Sequence, residues 1–254
     1  MIRNETGGNK NKMNAPLDSH TLSDEDINWL AQQLKIETQD KIIEDISMSL
    51  SRIQKVDLSR AKHRLSISVE RIALFANATA LLDLNLSGSA IRDITLLRKL
   101  IHLQRLDLSH TKVVDLKPLS ALPNLEHLHF WNTSINDITP LASLQHLKSL
   151  ELCRTKVSDL SPLSGLKKIT TLDIYYTNIT DIQPLTQIKS LESLFLDGND
   201  AQNLDLLTRE NFPRLKELMI LDDDYYPILE PDRVKLGKVK AQLPDCRISR
   251  RGLY

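Results

Sequence analysis

The sequence predicts an α/β solenoid: a horseshoe with a parallel sheet on its concave side, a helical cap at the N-terminal end and a second cap at the C-terminal end. Three observations predict it. Leu106, Leu128, Leu150, Leu172 and Leu194 recur at a constant spacing of 22 residues, as do Leu108, Phe130, Leu152, Ile174 and Leu196. A fixed period of this size is the mark of stacked structural repeats. The two series are two residues apart, the period of a short strand with one face buried. Each unit then closes on an Asp–Leu/Ile–x–Pro–Leu segment that returns the chain along the convex side.

Four consecutive copies carry the pattern most clearly, beginning at Leu103: LQRLDLSHTKVVDLKPLSALPN, LEHLHFWNTSINDITPLASLQH, LKSLELCRTKVSDLSPLSGLKK and ITTLDIYYTNITDIQPLTQIKS. A less regular copy precedes them (Leu81, Leu84, Leu86, Ile91, Asp93), and another follows after a two-residue slip (Leu215, Leu218, Ile220). The LxxLxLxxT core is that of a leucine-rich repeat. Its second half, for example Thr155, Val157, Asp159, Leu160, Pro162 and Leu163, resembles the internalin type found in bacteria. The leucine-rich regulatory subunit of protein phosphatase 1 is similar, with Asn more often than Thr after the strand. The resemblance covers roughly residues 81–221. It implies a curved, non-enzymatic surface that binds another protein, and it leaves the partner unnamed. Internalins typically carry a secretory leader and a surface anchor, whereas residues 1–20 are polar and lack the apolar stretch of a signal peptide. A cytoplasmic protein, or an effector exported without a cleavable leader, is therefore expected.

Composition narrows the partners. The 254 residues suit one continuous core with caps, and Lys+Arg and Asp+Glu are both 33, so nothing in the charge points to nucleic acid or an anionic membrane. No stretch approaches the length of a transmembrane helix. Cys153 and Cys246 make neither a disulfide framework nor a zinc signature, which suits a reducing compartment. A monomer is expected.

In chain order, residues 1–20 read as a disordered tail and 21–58 as a helical cap. Ser23 precedes Asp24, Glu25 and Asp26, an N-cap followed by acids that favour the positive end of a helix. Ile27, Leu30, Ala31 and Leu34 follow at helical spacing, and Ile42, Ile43, Ile46, Leu50 and Ile53 form the stripe of a second helix. An open solenoid end exposes core leucines, so a cap is a physical need; a separate recognition or export element is the other reading. Residues 59–80 read as a degenerate first repeat, with Leu65, Ile67 and Val69 alternating like a strand. In the regular units, Pro118, Pro140, Pro162 and Pro184 suit the first turn of a short helix, where a missing N–H is harmless. Asp93, Asp115, Asp137, Asp159 and Asp181 are placed to accept backbone N–H groups of that turn. Thr111, Thr133, Thr155 and Thr177 are placed to bond backbone in the bend after the strand. Without a glycine-rich calcium repeat, the aspartates read as a structural ladder. Residues 222–254 read as the C-terminal cap, with a short helix from Val234 to Leu243 and an edge strand at Cys246–Ile248. The LPDCRI ending resembles the terminal caps of other bacterial leucine-rich repeat proteins. Asp222, Asp223 and Asp224 read as a solvated acidic turn.

Function is expected on the concave face, where the residues between the leucines line up in columns. The first holds Asp83, Arg105, His127, Ser149, Thr171, Ser193 and Glu217. The second holds Asn85, Asp107, His129, Glu151, Asp173, Phe195 and Met219. The third holds Ser87, Ser109, Trp131, Cys153, Tyr175, Asp197 and Leu221, with His110, Asn132, Arg154 and Tyr176 following. Aromatics are only 4% of the chain, yet Trp131, Tyr175, Tyr176 and Phe195 gather on this face. Such side chains bury large areas with few rotamers to freeze, so they are the expected anchors of a protein partner, with His129, Glu151, Asp173 and Arg154 setting orientation. The acids favour a basic or mixed partner patch. Packing of the aromatics against neighbouring strands is the plainer reading. An enzyme or metal protein using the His127, His129, Glu151 and Asp173 cluster, or Cys153 with a histidine base, is the alternative from another class. A flat parallel sheet offers it no enclosed pocket and no orienting third group. No cofactor, metal or catalytic residue is expected, and the 33 residues after the repeats are too few for a separate catalytic domain.

Overall fold

The repeating leucines stack. In this computed structural model, which describes residues 52–59, 78, 80–197, 204–221 and 237–251, nine strands form one parallel sheet in sequential order. They are β1 (Lys55–Asp57), β2 (Asp83–Asn85), β3 (Arg105–Asp107), β4 (His127–His129), β5 (Ser149–Glu151), β6 (Thr171–Asp173), β7 (Ser193–Asp197), β8 (Glu217–Leu221) and β9 (Arg247–Arg251). The register carries the period directly: Leu84, Leu106, Leu128, Leu150, Leu172 and Leu194 are successive partners. Behind them Leu86, Leu108, Phe130, Leu152, Ile174 and Leu196 make a second buried row. Each unit alone would leave these side chains wet, so stacking is what stabilises them, by roughly 1.5–3 kcal/mol for each large apolar side chain buried.

Between strands the chain returns through 3₁₀ turns at Thr95–Lys99, Lys117–Ala121, Thr139–Ser143, Ser161–Leu163 and Gln183–Gln187, with proline in the first turn of the last four. The aspartate ladder behaves as its spacing predicts. Asp93, Asp115, Asp137, Asp159 and Asp181 each accept the N–H two residues on, at 2.7–2.9 Å. Thr111, Thr133, Thr155 and Thr177 each donate to the carbonyl three residues back, at 2.7–2.9 Å. Because Thr155 is buried, Thr155→Val should strand the Leu152 carbonyl and lower stability by about 1 kcal/mol, read as a lower urea midpoint.

Residues Lys55–Asp57, which the sequence reading places in the helical cap of 21–58, form a strand. Ile53, Val56, Leu58 and Ser59 reproduce the LxxLxLS spacing, and β1 pairs with β2 across 28 residues instead of 22. Ile53 also fits a helical stripe, which is why period alone sorted it with the preceding helix. The expected tail, both N-terminal helices up to residue 51, the Leu65–Val69 strand and the Asp222–Asp224 turn lie outside the described residues. At the other end, residues 237–242 are helical, Val239, Leu243 and Cys246 are buried, and β9 closes the described sheet. Among the described residues no helix is long and apolar enough to cross a membrane.

Candidate functional site

Each short strand buries its central leucine and turns its two flanking residues to the open face. Parallel register then sets Asp107, His129, Glu151, Asp173 and Phe195 side by side on β3–β7. Adjacent strands are about 4.8 Å apart, so charged neighbours in this row act on one another directly. His129 Nδ1 stands 3.0 Å from Glu151 Oε2, both side chains being a little over a third exposed. The hydrogen bond that His129 donates to Glu151 holds it above the usual histidine range against the opposing effect of burial, helped by the charges of Glu151, Asp107 and Asp83. His127, two residues earlier on the same strand, moves the other way, lowered first by burial and then by Arg105. The two histidines of β4 are therefore drawn apart, His129 toward its charged form and His127 toward its neutral form.

Asp173 is the most perturbed carboxylate described. Burial, reinforced by the like charge of Glu151, pushes it up to about 6, although its Oδ1 accepts the Tyr175 N–H at 3.0 Å. That bond belongs to a second ladder the sequence reading missed. Asp57, Asn85 and Asp107 likewise accept the N–H two residues on, at 2.8–3.0 Å, closing the strand end. The signal was present in the recurring strand-end Asp or Asn, which the sequence reading assigned to the binding column alone. Where the ladder is interrupted, at His129 and Glu151, the two side chains bond each other.

The aromatic positions are less uniform than the column pattern suggests. Trp131 is 44% exposed, whereas Ser109, one strand away in the same column, is only 6% exposed. Tyr175, Tyr176 and Phe195 are half-buried. Tyr175 packs edge-on against Phe195 with ring centroids 6.2 Å apart, so part of the aromatic group does pack between strands. Trp131 instead meets His110 edge-on at 4.6 Å, and His110 Nδ1 lies 3.0 Å from Asn132 Nδ2. Arg154 spreads its guanidinium 5.0 Å from the Tyr176 ring centre.

These last residues sit on the rim where the chain leaves the strand. Gly88, His110, Asn132, Arg154 and Tyr176 all have left-handed backbone, with φ of 72°, 57°, 55°, 56° and 49°. The turn lets each of the first four give its N–H to the carbonyl of the next repeat at 2.8–2.9 Å, extending the ladder past the strands.

Leucine-rich repeats, in two copies, match residues 123–165 as a protein family. Internalin C2 from Listeria monocytogenes is similar in structure, with a TM-score of 0.67 and 21% identity over 89% of this chain and 92% of that one. Internalin F from the same organism gives a TM-score of 0.63 and 22% identity, covering 90% of this chain and 69% of that one. The chain carries leucine-rich repeats on an internalin-like fold. A leucine-rich repeat protein from Leptospira interrogans is also similar, with a TM-score of 0.56 and 20% identity over 69% of this chain and 44% of that one. No curated protein matches.

On this internalin-like sheet the eight sequence-selected residues fall into four sets. His129, Glu151 and Asp173 form the charged row, Trp131 stands on its downstream side, and Tyr175 with Phe195, and Arg154 with Tyr176, form two separate pairs. Cys153 is half-buried and forms no disulfide, in the repeat between those that carry Trp131 and Tyr175. Among the described residues no group of three or more His, Cys, Asp and Glu side chains could hold a metal ion.

The raised carboxyl of Asp173 makes a stability prediction whose sign is opposite to the usual one. Its folded pKa of about 6 exceeds the unfolded value of 3.8, so between these pH values the folded protein binds more protons and stability falls as pH rises. Asp173→Asn keeps an acceptor for the Tyr175 N–H, as Asn85 does for Ser87, and removes the buried charge. It should stabilise the fold by about 1–2 kcal/mol at pH 8, after discounting for the half-open face, with the gain vanishing near pH 4. Urea melts of both proteins across that range would show it; a pH-independent difference would assign the effect to something other than ionisation.

Proposed function

We propose that the chain binds a protein partner through its concave face, with Trp131, Tyr175, Tyr176 and Phe195 as anchors and His129, Glu151, Asp173 and Arg154 fixing orientation. One observation carries this reading. Three large apolar side chains among the described residues are exposed, and of these Ile101 and Val114 lie farther along the connecting segments while Trp131 stands in the turn two residues past β4. A half-exposed tryptophan flanked by in-register charges is the composition of an interface centre with its polar surround. Solenoids commonly use this face, because a rigid sheet holds side chains from successive repeats in fixed order. A bacterial effector acting on a host protein and a cytoplasmic regulator that masks an enzyme both fit.

The test is a cross-linking pull-down from host and bacterial lysates, comparing the wild type with Trp131→Ala/Tyr175→Ala after circular dichroism shows both folded. A partner held only by the wild type is the expected result. Equal capture by both proteins would move the site to the convex side or the caps.

A further inference from the structure

The rim carries a choice that backbone geometry does not explain. Left-handed backbone is unfavourable for residues with a Cβ, least so for Asn and hardly at all for Gly, and such strain persists where the side chain has a use. Gly88 shows that this position accepts glycine, yet the next four repeats place His110, Asn132, Arg154 and Tyr176 there. All four join contacts along the rim: His110 with Asn132 and Trp131, and Arg154 with Tyr176. Arg154 is exposed, backed by an aromatic ring, and pairs with no carboxylate among the described residues. Lys112 and Lys156, exposed two residues further along the bend, add to the positive charge. The sheet beside this rim carries the opposite sign in Asp107, Glu151 and Asp173.

We propose that this rim row, resting on the concave-face reading above, selects a partner segment that places a carboxylate on Arg154 beside an apolar side chain on Trp131. A guanidinium held flat against a ring keeps its N–H fork available for a carboxylate while losing little freedom on binding. Asp107 and Asp173 of the sheet repel the same carboxylate, Glu151 being paired with His129, so the segment lies along the rim and turns its basic residues toward the sheet.

Random peptides displayed and selected on the full wild-type chain test this, with synthetic copies of the enriched sequences as probes. The expected result is an Asp or Glu next to an apolar residue, with affinity falling about tenfold in Arg154→Gly. Arg154→Gly should melt no lower than the wild type, and Arg154→Glu should shift selection to Lys and Arg. Peptides lost in Trp131→Ala/Tyr175→Ala but indifferent to Arg154 would overturn the rim proposal and leave the concave-face reading standing. So would a marked drop in the melting temperature of Arg154→Gly, which would make Arg154 structural. Failure to enrich any peptide, or binding indifferent to both variants, would overturn both.

Discussion

Leu150→Ala is expected to lower the stability of the fold by about 3–5 kcal/mol, a large share of what a domain of this kind has. Leu150 is fully buried at the centre of β5, in register with Leu128 on one side and Leu172 on the other. Removing it opens a cavity between three repeats, and the backbone has little freedom to collapse around it because both neighbouring strands are hydrogen-bonded in fixed register. The loss should appear as a lower urea midpoint with an unchanged slope. Val56→Ala, in the outermost described strand, deletes less volume and has a repeat neighbour on one described side only. It should be milder, at about 1–2 kcal/mol. Equal effects at the two sites would argue against a core whose stability is the sum of neighbouring repeat contacts.

Once a partner is in hand, Trp131→Ala/Tyr175→Ala should weaken its binding by about a thousandfold, the result of losing two interface anchors of roughly 2 kcal/mol each. The two contributions should differ. Trp131 is exposed in the free protein and has its indole area still to bury, whereas Tyr175 is half-buried and already packs on Phe195. Trp131→Ala alone should therefore give the greater loss, and Tyr175→Ala should act partly by releasing Phe195. Isothermal titration of the three variants separates these. A double mutant no weaker than Tyr175→Ala would remove Trp131 from the interface.

The repeat was readable in the linear sequence because every unit meets the same requirement. A leucine at a 22-residue period must be covered by its neighbours, a proline must fall where an N–H is dispensable, and an aspartate or threonine must satisfy the backbone at each bend. These are demands within one unit or between identical units, so spacing alone expresses them. The first strand was harder to see. Val56 and Leu58 mark it, but a three-residue strand is too short to override a helical stripe ending at Ile53.

What the sequence determined by itself is therefore the solenoid, its parallel sheet, the turn ladders and the order of residues along each concave column. Tertiary structure decided what those columns are. It paired His129 with Glu151, drew His127 and His129 in opposite directions, raised Asp173, buried Ser109, and left Trp131 exposed while half-covering Tyr175 and Phe195. The reason is geometric. Each of these properties depends on side chains one repeat away and on the rotamers they adopt, and a column read from spacing fixes a residue's neighbours without fixing which of them it touches.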